Sequence, residues 1–177
     1  HIEKLEKYLN KITQIKNNQC VNLKTGRVIK AIIPTHIFGR IININKLKSL
    51  CKKFKLIMIE DSSEAFGAFY KKKHAGTFGL CGAISFNGNK IITTGGGGAI
   101  LTNSKKIFTK IKFLATVAKK GGRYDEVGYN YRMPSLNAAL GISQLNKINY
   151  IKKKKYLNYL RYKEFVQKKQ LLFFYGR

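Results

Sequence analysis

Residues 56–67 read L-I-M-I-E-D-S-S-E-A-F-G, and this stretch decides the fold class. Its first four residues form a continuous apolar run, which is typical of a strand buried on both faces of a sheet. Residues 31–34 (A-I-I-P) and 83–86 (A-I-S-F) have the same short apolar character, and residues 99–101 continue it after a run of glycines. These segments predict several short strands of one buried sheet.

Segments with helical spacing lie beside these strands. Apolar residues recur every three or four positions over residues 47–54, and Asn45, just before them, is a favourable N-cap residue. The same spacing occurs over residues 107–115, and a short amphipathic helix is expected at residues 2–12. From Ser135 onward we expect one long helix. Strands that alternate with helices indicate a single α/β unit.

The charge of the chain raises an alternative from another functional class. Lys and Arg number 35 against 8 Asp and Glu, a formal net charge of +27, as a basic nucleic-acid-binding module would have. The lysines, however, are spread along the chain together with many Ile and Asn residues, which an AT-biased coding composition would produce. No Arg-rich cluster or reading element accompanies them. We therefore expect salt-sensitive binding to polyanions and no specific nucleic-acid partner.

Location and metal binding follow from two further patterns. No apolar run approaches the ~20 residues that a membrane helix needs, so we expect no membrane span and a cytoplasmic protein. Three cysteines, at positions 20, 51 and 81, are far apart and form no metal-ligand spacing. No metal site is expected.

Two residues stand out as candidates for chemistry. Asp61 follows a buried strand, where ligands of α/β sheets bind, although the residues alone equally allow it to cap a following helix. Lys90 lies between a turn and an apolar pair, and a lysine in a dry setting can act as a nucleophile toward carbonyls. Taken alone, Lys90 is better interpreted as a solvated loop lysine. The glycine run 95–98 fits neither a P-loop nor a dinucleotide turn, and allows either close approach of a ligand or a tight strand connection.

The order of these segments resembles the DegT/DnrJ/EryC1/StrS family of pyridoxal-phosphate-dependent sugar aminotransferases. The strings that carry the resemblance over about residues 1–168 are K-T-G-R (24–27), I-E-D-S-S-E-A (59–65), S-F-N-G-N-K-I-I-T-T-G-G-G-G (85–98), G-Y-N-Y-R-M (128–133) and N-A-A-L-G-I-S-Q-L (137–145). The resemblance implies an α/β fold: the central part of the large domain of an aspartate-aminotransferase-like, fold type I enzyme, with a mixed, mostly parallel sheet flanked by helices. Residues 1–134 would belong to that domain, without its N-terminal portion. Residues 135–177 would form a long helix toward a truncated small domain.

The resemblance also implies roles for five residues. Lys90 would bind the cofactor aldehyde covalently and then move the proton, and Asp61 would pair with the pyridine nitrogen. Glu64 would lie near the cofactor ring. Ser85 would hydrogen-bond the cofactor phosphate, and Asn130 would reach the same phosphate in the neighbouring subunit of a homodimer.

Substrate and reaction are implied in the same way. Asn87 and Arg132 would contact a nucleotide-linked 4-keto-6-deoxy sugar, which would receive at C4 the amino group of glutamate. The similar branch is the one that leads to legionaminic-acid-type sugars of surface polysaccharides such as the lipopolysaccharide O-antigen, and the runner-up is a perosamine-type synthase. Whether the nucleotide is UDP or GDP stays open.

The chain also departs from the family pattern. Leu80 and Gly96 replace acidic residues, and the tail after about residue 168 does not resemble the family. We expect the isolated chain to be a fragment without activity.

Overall fold

The computed structural model describes residues 1–124 and 126–168. Its helices are α1 (Ile2–Ile12), α2 (Ile44–Phe54), α3 (Lys105–Ala115), α4 (Ser135–Leu145) and α5 (Ile148–Lys168), with a short 3-10 turn at Ile37–Gly39. Its strands are β1 (Thr13–Lys16), β2 (Gln19–Asn22), β3 (Val28–Ile29), β4 (Ala31–Ile32), β5 (Ile57–Asp61), β6 (Phe69–Tyr70), β7 (Lys73–His74), β8 (Cys81–Ser85), β9 (Gly98–Leu101), β10 (Lys119–Lys120) and β11 (Arg123–Tyr124).

A four-stranded sheet in the order β4–β5–β8–β9 organises the chain. The pairs β4–β5 and β5–β8 are parallel, whereas β8–β9 is antiparallel. The predicted α/β class with a mixed, mostly parallel sheet is therefore confirmed. Burial of β5 on both faces is incomplete, since Ile57 is 46% exposed whereas Met58 is buried.

The hydrophobic core lies between α1, α2 and one face of this sheet. Its buried members are Ile2, Leu9, Cys20, Leu47, Leu50, Cys51, Phe54, Leu56 and Met58. Two exposed ion pairs, Glu3–Lys46 and Glu6–Lys53, join the outer surfaces of the two helices. Such pairs contribute little to stability, so burial of the apolar faces holds α1 against α2.

Helix α2 begins two residues earlier than the sequence predicts. The side chain of Asn43 accepts the backbone N–H of Lys46 and caps the helix, so Asn43 and not Asn45 is the N-cap. Both asparagines suit an N-cap, and the capping geometry decides between them. Lys55, in the left-handed conformation, ends the helix just before β5.

Two other elements differ from the prediction. A three-stranded antiparallel sheet, β1–β2–β3, lies where we predicted no strands, and its first hairpin turns at Asn17 and Asn18, both with positive φ. The long helix expected from Ser135 is divided into α4 and α5. At the break, the Lys147 N–H donates to the Gln144 carbonyl, a tighter bond that ends the first helix. Within the described ranges, none of the helices combines the length and the apolar character that a bilayer crossing requires.

Candidate active site

Asp61 and Ser85 end two neighbouring parallel strands. Asp61 of β5 is aligned with Ala83 of β8, and Ser85 follows two residues later on β8. Both side chains therefore belong to the carboxyl edge of the sheet, where α/β proteins bind their ligands. The residues after Asp61 form turns and not a helix, so the alternative role of Asp61 as a helix cap is wrong.

The carboxylate of Asp61 is kept charged by its neighbours. Hydrogen bonds from the hydroxyl and the backbone N–H of Ser63 hold the pKa of the Asp61 carboxyl below its usual range. Thr35 and the positive charge of Lys90 act in the same direction. Asp61 is thus an anion held in place at the sheet edge, with a lysine close enough to influence its titration.

Lys90 lies in a loop that folds back on itself after β8. The Phe86 N–H donates to the Gly97 carbonyl, and the Thr94 N–H donates to the Phe86 carbonyl. Both hydrogen bonds have an N···O distance of 3.0 Å, and together they close the loop. Helix α4 holds the loop from outside, since Gln144 Oε1 accepts the Thr93 N–H. The side chain of Lys90 is only 16% exposed. Lys90 is therefore not the solvated loop lysine that its local sequence alone suggests.

Glu64 connects Lys90 to a distant turn. Its Oε1 lies 3.6 Å from Lys90 Nζ, and its Oε2 accepts the backbone N–H of Phe38 over 2.8 Å. Of the residues predicted for the site, the structure thus brings Asp61, Glu64 and Lys90 into one electrostatic group.

Two members of this group, Glu64 and Lys90, line a cleft of about 440 Å³, which we call the lysine cleft. Its lining includes Phe38, Glu64, Phe66, Lys90, Ile91 and Lys155. Phe38 and Lys155 are not among the residues predicted for the site. They come from the 3-10 turn and from α5, far along the chain from Lys90, and no local pattern links these segments.

A second cleft of about 710 Å³, the serine cleft, contains Ser85 and Arg132. Gly96, Gly97 and Gly98 form part of its wall, so the glycine run borders a cavity as well as connecting strands. The loop between β8 and β9 contributes residues to both clefts. Ser85 and Lys90 are only five residues apart in the chain, but Ser85 lines the serine cleft and Lys90 lines the lysine cleft.

Asn87 and Asn130 line neither of the two clefts. Both are exposed. The backbone N–H of Asn87 donates to Ser85 Oγ over 3.2 Å, and Asn130 forms an isolated antiparallel bridge with Thr116. The side chain of Asn130 thus lies at the surface of this chain.

A buried polar network behind Asp61 was also overlooked. Glu60 and His36 are fully buried, with Glu60 Oε2 3.0 Å from His36 Nε2. The two Glu60 oxygens also accept the backbone N–H groups of Gly76, Phe78 and Gly79. Because side chains alternate along a strand, Glu60 had to point away from Asp61, and that alternation was the available signal.

Comparison with known proteins identifies the family of the chain. Residues 6–173 match the DegT/DnrJ/EryC1/StrS aminotransferase family, so the chain belongs to that family. The match continues to residue 173, beyond the point near 168 at which we expected the resemblance to end. The structure of residues 169–177 lies outside the described residues.

Two curated relatives show the range of the family around this chain. A GDP-perosamine synthase of Vibrio cholerae is 41% identical over 138 residues, which cover 76% of this chain and 38% of the relative. A UDP-4-amino-4,6-dideoxy-N-acetyl-beta-L-altrosamine transaminase of Helicobacter pylori (strain ATCC 700392 / 26695) is 33% identical over 149 residues, which cover 81% of this chain and 39% of the relative. The chain thus spans about two fifths of the length of these relatives.

Solved structures place the same fold in the same family. PseC of Helicobacter pylori, an aminotransferase involved in the biosynthesis of pseudoaminic acid, superposes with a TM-score of 0.66 at 35% identity and covers 72% of this chain and 36% of its own. A DegT DnrJ EryC1 StrS aminotransferase from Brucella abortus superposes with a TM-score of 0.72 at 28% identity. The match covers 84% of this chain and 38% of the Brucella protein. The expected fold, part of a larger aminotransferase domain, is confirmed.

Proposed function

We propose that this chain provides the reactive-lysine part of a pyridoxal-phosphate-dependent aminotransferase that acts on a nucleotide-linked sugar. The observation that carries the proposal is the group formed by Asp61, Glu64 and Lys90 at the carboxyl edge of the sheet. The chain has 35 basic and 8 acidic residues, and two of these few carboxylates lie close to the shielded amine of Lys90. Family membership gives this group its chemical context.

The residues present fit the cofactor. Lys90 offers a primary amine for the aldehyde, and Asp61 offers a charged carboxylate for the protonated ring nitrogen. Ser85, at the same edge, offers a hydroxyl for the phosphate. When bound, pyridoxal phosphate supplies a ring that accepts the electrons released at the carbon bearing the amine.

Lys90 and Glu64 would handle the proton. Lys90 Nζ is the base that takes the proton from one carbon and returns it to another. Glu64 lies 3.6 Å from that nitrogen and is anchored by the Phe38 N–H, so its negative charge stays beside Lys90.

For the substrate, we propose glutamate as the amino donor and C4 of a UDP-linked 4-keto-6-deoxy sugar as the acceptor. The product would enter the synthesis of a legionaminic-acid-type sugar for a surface polysaccharide such as the O-antigen, in the cytoplasm. The relatives named for UDP-linked 4-amino-4,6-dideoxy sugars support this class. Asn87 and Arg132 are proposed substrate contacts, and Arg132 already lines the serine cleft.

A perosamine-type reaction on a GDP-linked sugar is the second candidate. The GDP-perosamine synthases are 39 to 41% identical to this chain, against 33 to 36% for the altrosamine transaminases. Both reactions place an amine at the same kind of carbon, so the site chemistry above applies to either.

Covalent trapping of the cofactor tests the proposal. The chain is mixed with pyridoxal phosphate, its visible absorbance is recorded, and borohydride reduction is followed by peptide mass mapping. We expect the label on Lys90, with its loss in a Lys90→Ala variant and its retention in a Lys24→Ala variant, a matched change of an exposed loop lysine. Labels scattered over many surface lysines, with no difference between the two variants, would contradict the proposed site. The isolated chain is expected to bind cofactor without completing turnover.

A further inference from the structure

Phe38 combines two properties that are unfavourable in a folded protein. The residue is 85% exposed, and its backbone has a φ of 53° and a ψ of 29°, in the left-handed region. A bulky residue in this region costs free energy and persists only where its surroundings impose it. Phe38 is followed by Gly39, whose φ of 75° is also left-handed, so the whole turn is bent tightly.

The proposed cofactor-side carboxylate is hydrogen-bonded to this turn. Glu64 Oε2 accepts the Phe38 N–H over 2.8 Å, while the other oxygen of the same carboxylate lies 3.6 Å from Lys90 Nζ. A single carboxylate therefore separates the backbone of Phe38 from the amine of Lys90. The turn is thus linked to the side chain that lies beside Lys90.

Phe38 is one of the residues that line the lysine cleft. It shares that lining with Lys90 and with Lys155 of α5. An occupant of this cleft therefore meets an apolar aromatic face on one side and two lysines. A nucleotide-linked 6-deoxy sugar has matching parts: a ring with an apolar C–H face, a methyl group in place of a hydroxymethyl group, and a diphosphate.

We propose that Phe38 is a specificity-determining residue that packs against the sugar ring of the substrate, and that Glu64 presents it for this purpose. The inference rests on the proposed function. The sugar is the part of the substrate whose reacting carbon must reach Lys90, so it is also the part that lies beside Phe38. Packing of the methyl group and the C–H face on the ring removes apolar surface from water and favours 6-deoxy sugars over hydroxylated ones.

The experiment compares two ligands on the cofactor-loaded protein by calorimetry. The ligands are UDP alone and a UDP-linked 4-amino-4,6-dideoxy sugar, with the GDP pair as a second set. Phe38→Ala should weaken binding of the sugar nucleotide roughly tenfold or more and leave binding of the nucleoside diphosphate unchanged. Phe38→Tyr, which keeps the aromatic face, should bind like the unmodified protein.

The matched control is Ile37→Ala. Ile37 is the preceding residue of the same turn and is also exposed, at 55%. This variant should leave both affinities unchanged. If Phe38 had a purely structural role, Phe38→Ala would weaken the binding of both ligands. This outcome would overturn the inference.

A single introduced tryptophan gives a second readout. The chain contains no Trp, so Phe38→Trp places one fluorophore in the cleft, and Tyr8→Trp places one on the exposed surface of α1. The sugar nucleotide should change the fluorescence at position 38 and not at position 8. If the sugar nucleotide binds but position 38 stays silent and Phe38→Ala binds normally, the inference is wrong. If neither ligand set binds the unmodified protein, the proposed function fails and this inference fails with it.

Discussion

At the scale of single residues, Asp61 and Glu60 illustrate how adjacent carboxylates acquire different environments. They follow each other on β5, so their side chains point to opposite faces of the sheet. Glu60 is enclosed by His36 and backbone N–H groups. Asp61 points to the ligand edge and keeps its charge through Ser63. The first is in a position to stabilise the fold, and the second is available for a ligand.

Replacing Asp61 by Asn tests its proposed role. The variant keeps the size of the side chain and one acceptor oxygen, but it replaces the other oxygen by a donor and removes the charge that would face the ring nitrogen. We expect cofactor binding to weaken by about 1.5–3 kcal/mol, the contribution of a charge-assisted hydrogen bond. Spectrophotometric titration with pyridoxal phosphate measures it, with Glu3→Gln as a control on the surface. An Asp61→Asn variant that binds cofactor normally would exclude the pairing.

The pH dependence of this contribution has a defined sign. The pKa of Asp61 lies below its ordinary value of 3.8, so the carboxylate is charged at all pH values above that. Its contribution to cofactor binding is therefore constant through the neutral range and is lost only as the pH falls through the lowered pKa. Any change in affinity near neutral pH must come from other groups.

At the scale of elements, Glu60 ties three segments together. It joins His36, after β4, to the backbone of residues 76–79, before β8. Burial would raise the pKa of the Glu60 carboxyl, but the hydrogen bonds from His36 and the backbone of Gly79, Gly76 and Phe78 outweigh it. They hold the pKa below the ordinary 4.5.

A Glu60→Gln variant should therefore be destabilised. It leaves donors of the network without a charged acceptor in a buried place, and we expect a loss of about 3 kcal/mol in the free energy of unfolding. Urea denaturation measures it, against Glu6→Gln, which removes only an exposed ion pair and should cost less than about 1 kcal/mol. The stability that Glu60 provides is fully present above its unfolded pKa and is lost as the pH falls through the lowered pKa. If Glu60→Gln unfolds at the same urea concentration as the unmodified chain, the network does not hold these segments.

The glycine run offers a second test at this scale, because two of its members differ sharply. A Cβ at Gly98 would lie 2.3 Å from the Ile84 carbonyl oxygen of β8, whereas a Cβ at Gly96 would meet nothing within 4 Å. Gly98→Ala must push β9 away from β8, and we expect it to cost about 1–3 kcal/mol. Gly96→Ala should change stability by less than about 0.5 kcal/mol. Thermal unfolding measures the stability of the two variants. Equal melting temperatures would contradict the close packing of β9 against β8.

Much of this arrangement could be predicted from local patterns, and the exceptions have physical reasons. The apolar run before Glu60 and the spacing over residues 47–54 predicted β5 and α2, because burial imposes those periods. Strands β1 and β2 carry few apolar residues, so only their Asn17–Asn18 turn indicated a hairpin. The break between α4 and α5 contains neither Gly nor Pro, and no local pattern marks it.

The candidate site shows the same division. Asp61 could be placed at the sheet edge because it follows a predicted strand, whereas Ser85 and Lys90 were assigned to the site only through the family resemblance. The contact of Glu64 with the Phe38 N–H joins residues 26 positions apart. Phe38 and Lys155 reach the lysine cleft through tertiary packing alone. Such contacts depend on how loops and helices are arranged over the sheet, which residue types and spacing do not specify.

At the scale of the whole molecule, the position of Asn130 allows its side chain to contribute to the site of a second subunit. Its side chain is exposed, and its described pairing with Thr116 is a backbone bridge. The Asn130 side chain is therefore available to a second copy of the chain. If it completes the cofactor site of that copy, each site of a homodimer is composed of Lys90 from one subunit and Asn130 from the other.

Mixing two defective variants tests this composition. Lys90→Ala removes the covalent attachment, and Asn130→Ala removes the proposed phosphate contact without disturbing the backbone bridge. In a mixed dimer, one site receives both substitutions and the other receives neither. After dissociation and reassociation of equal amounts, we expect cofactor labelling at low concentration to recover to about a quarter of the unmodified level. Each variant alone should stay near zero, and so should a mixture of Lys90→Ala with the double variant. If labelling of the Lys90→Ala and Asn130→Ala mixture also stays near zero while sedimentation shows dimers, Asn130 does not act across the interface.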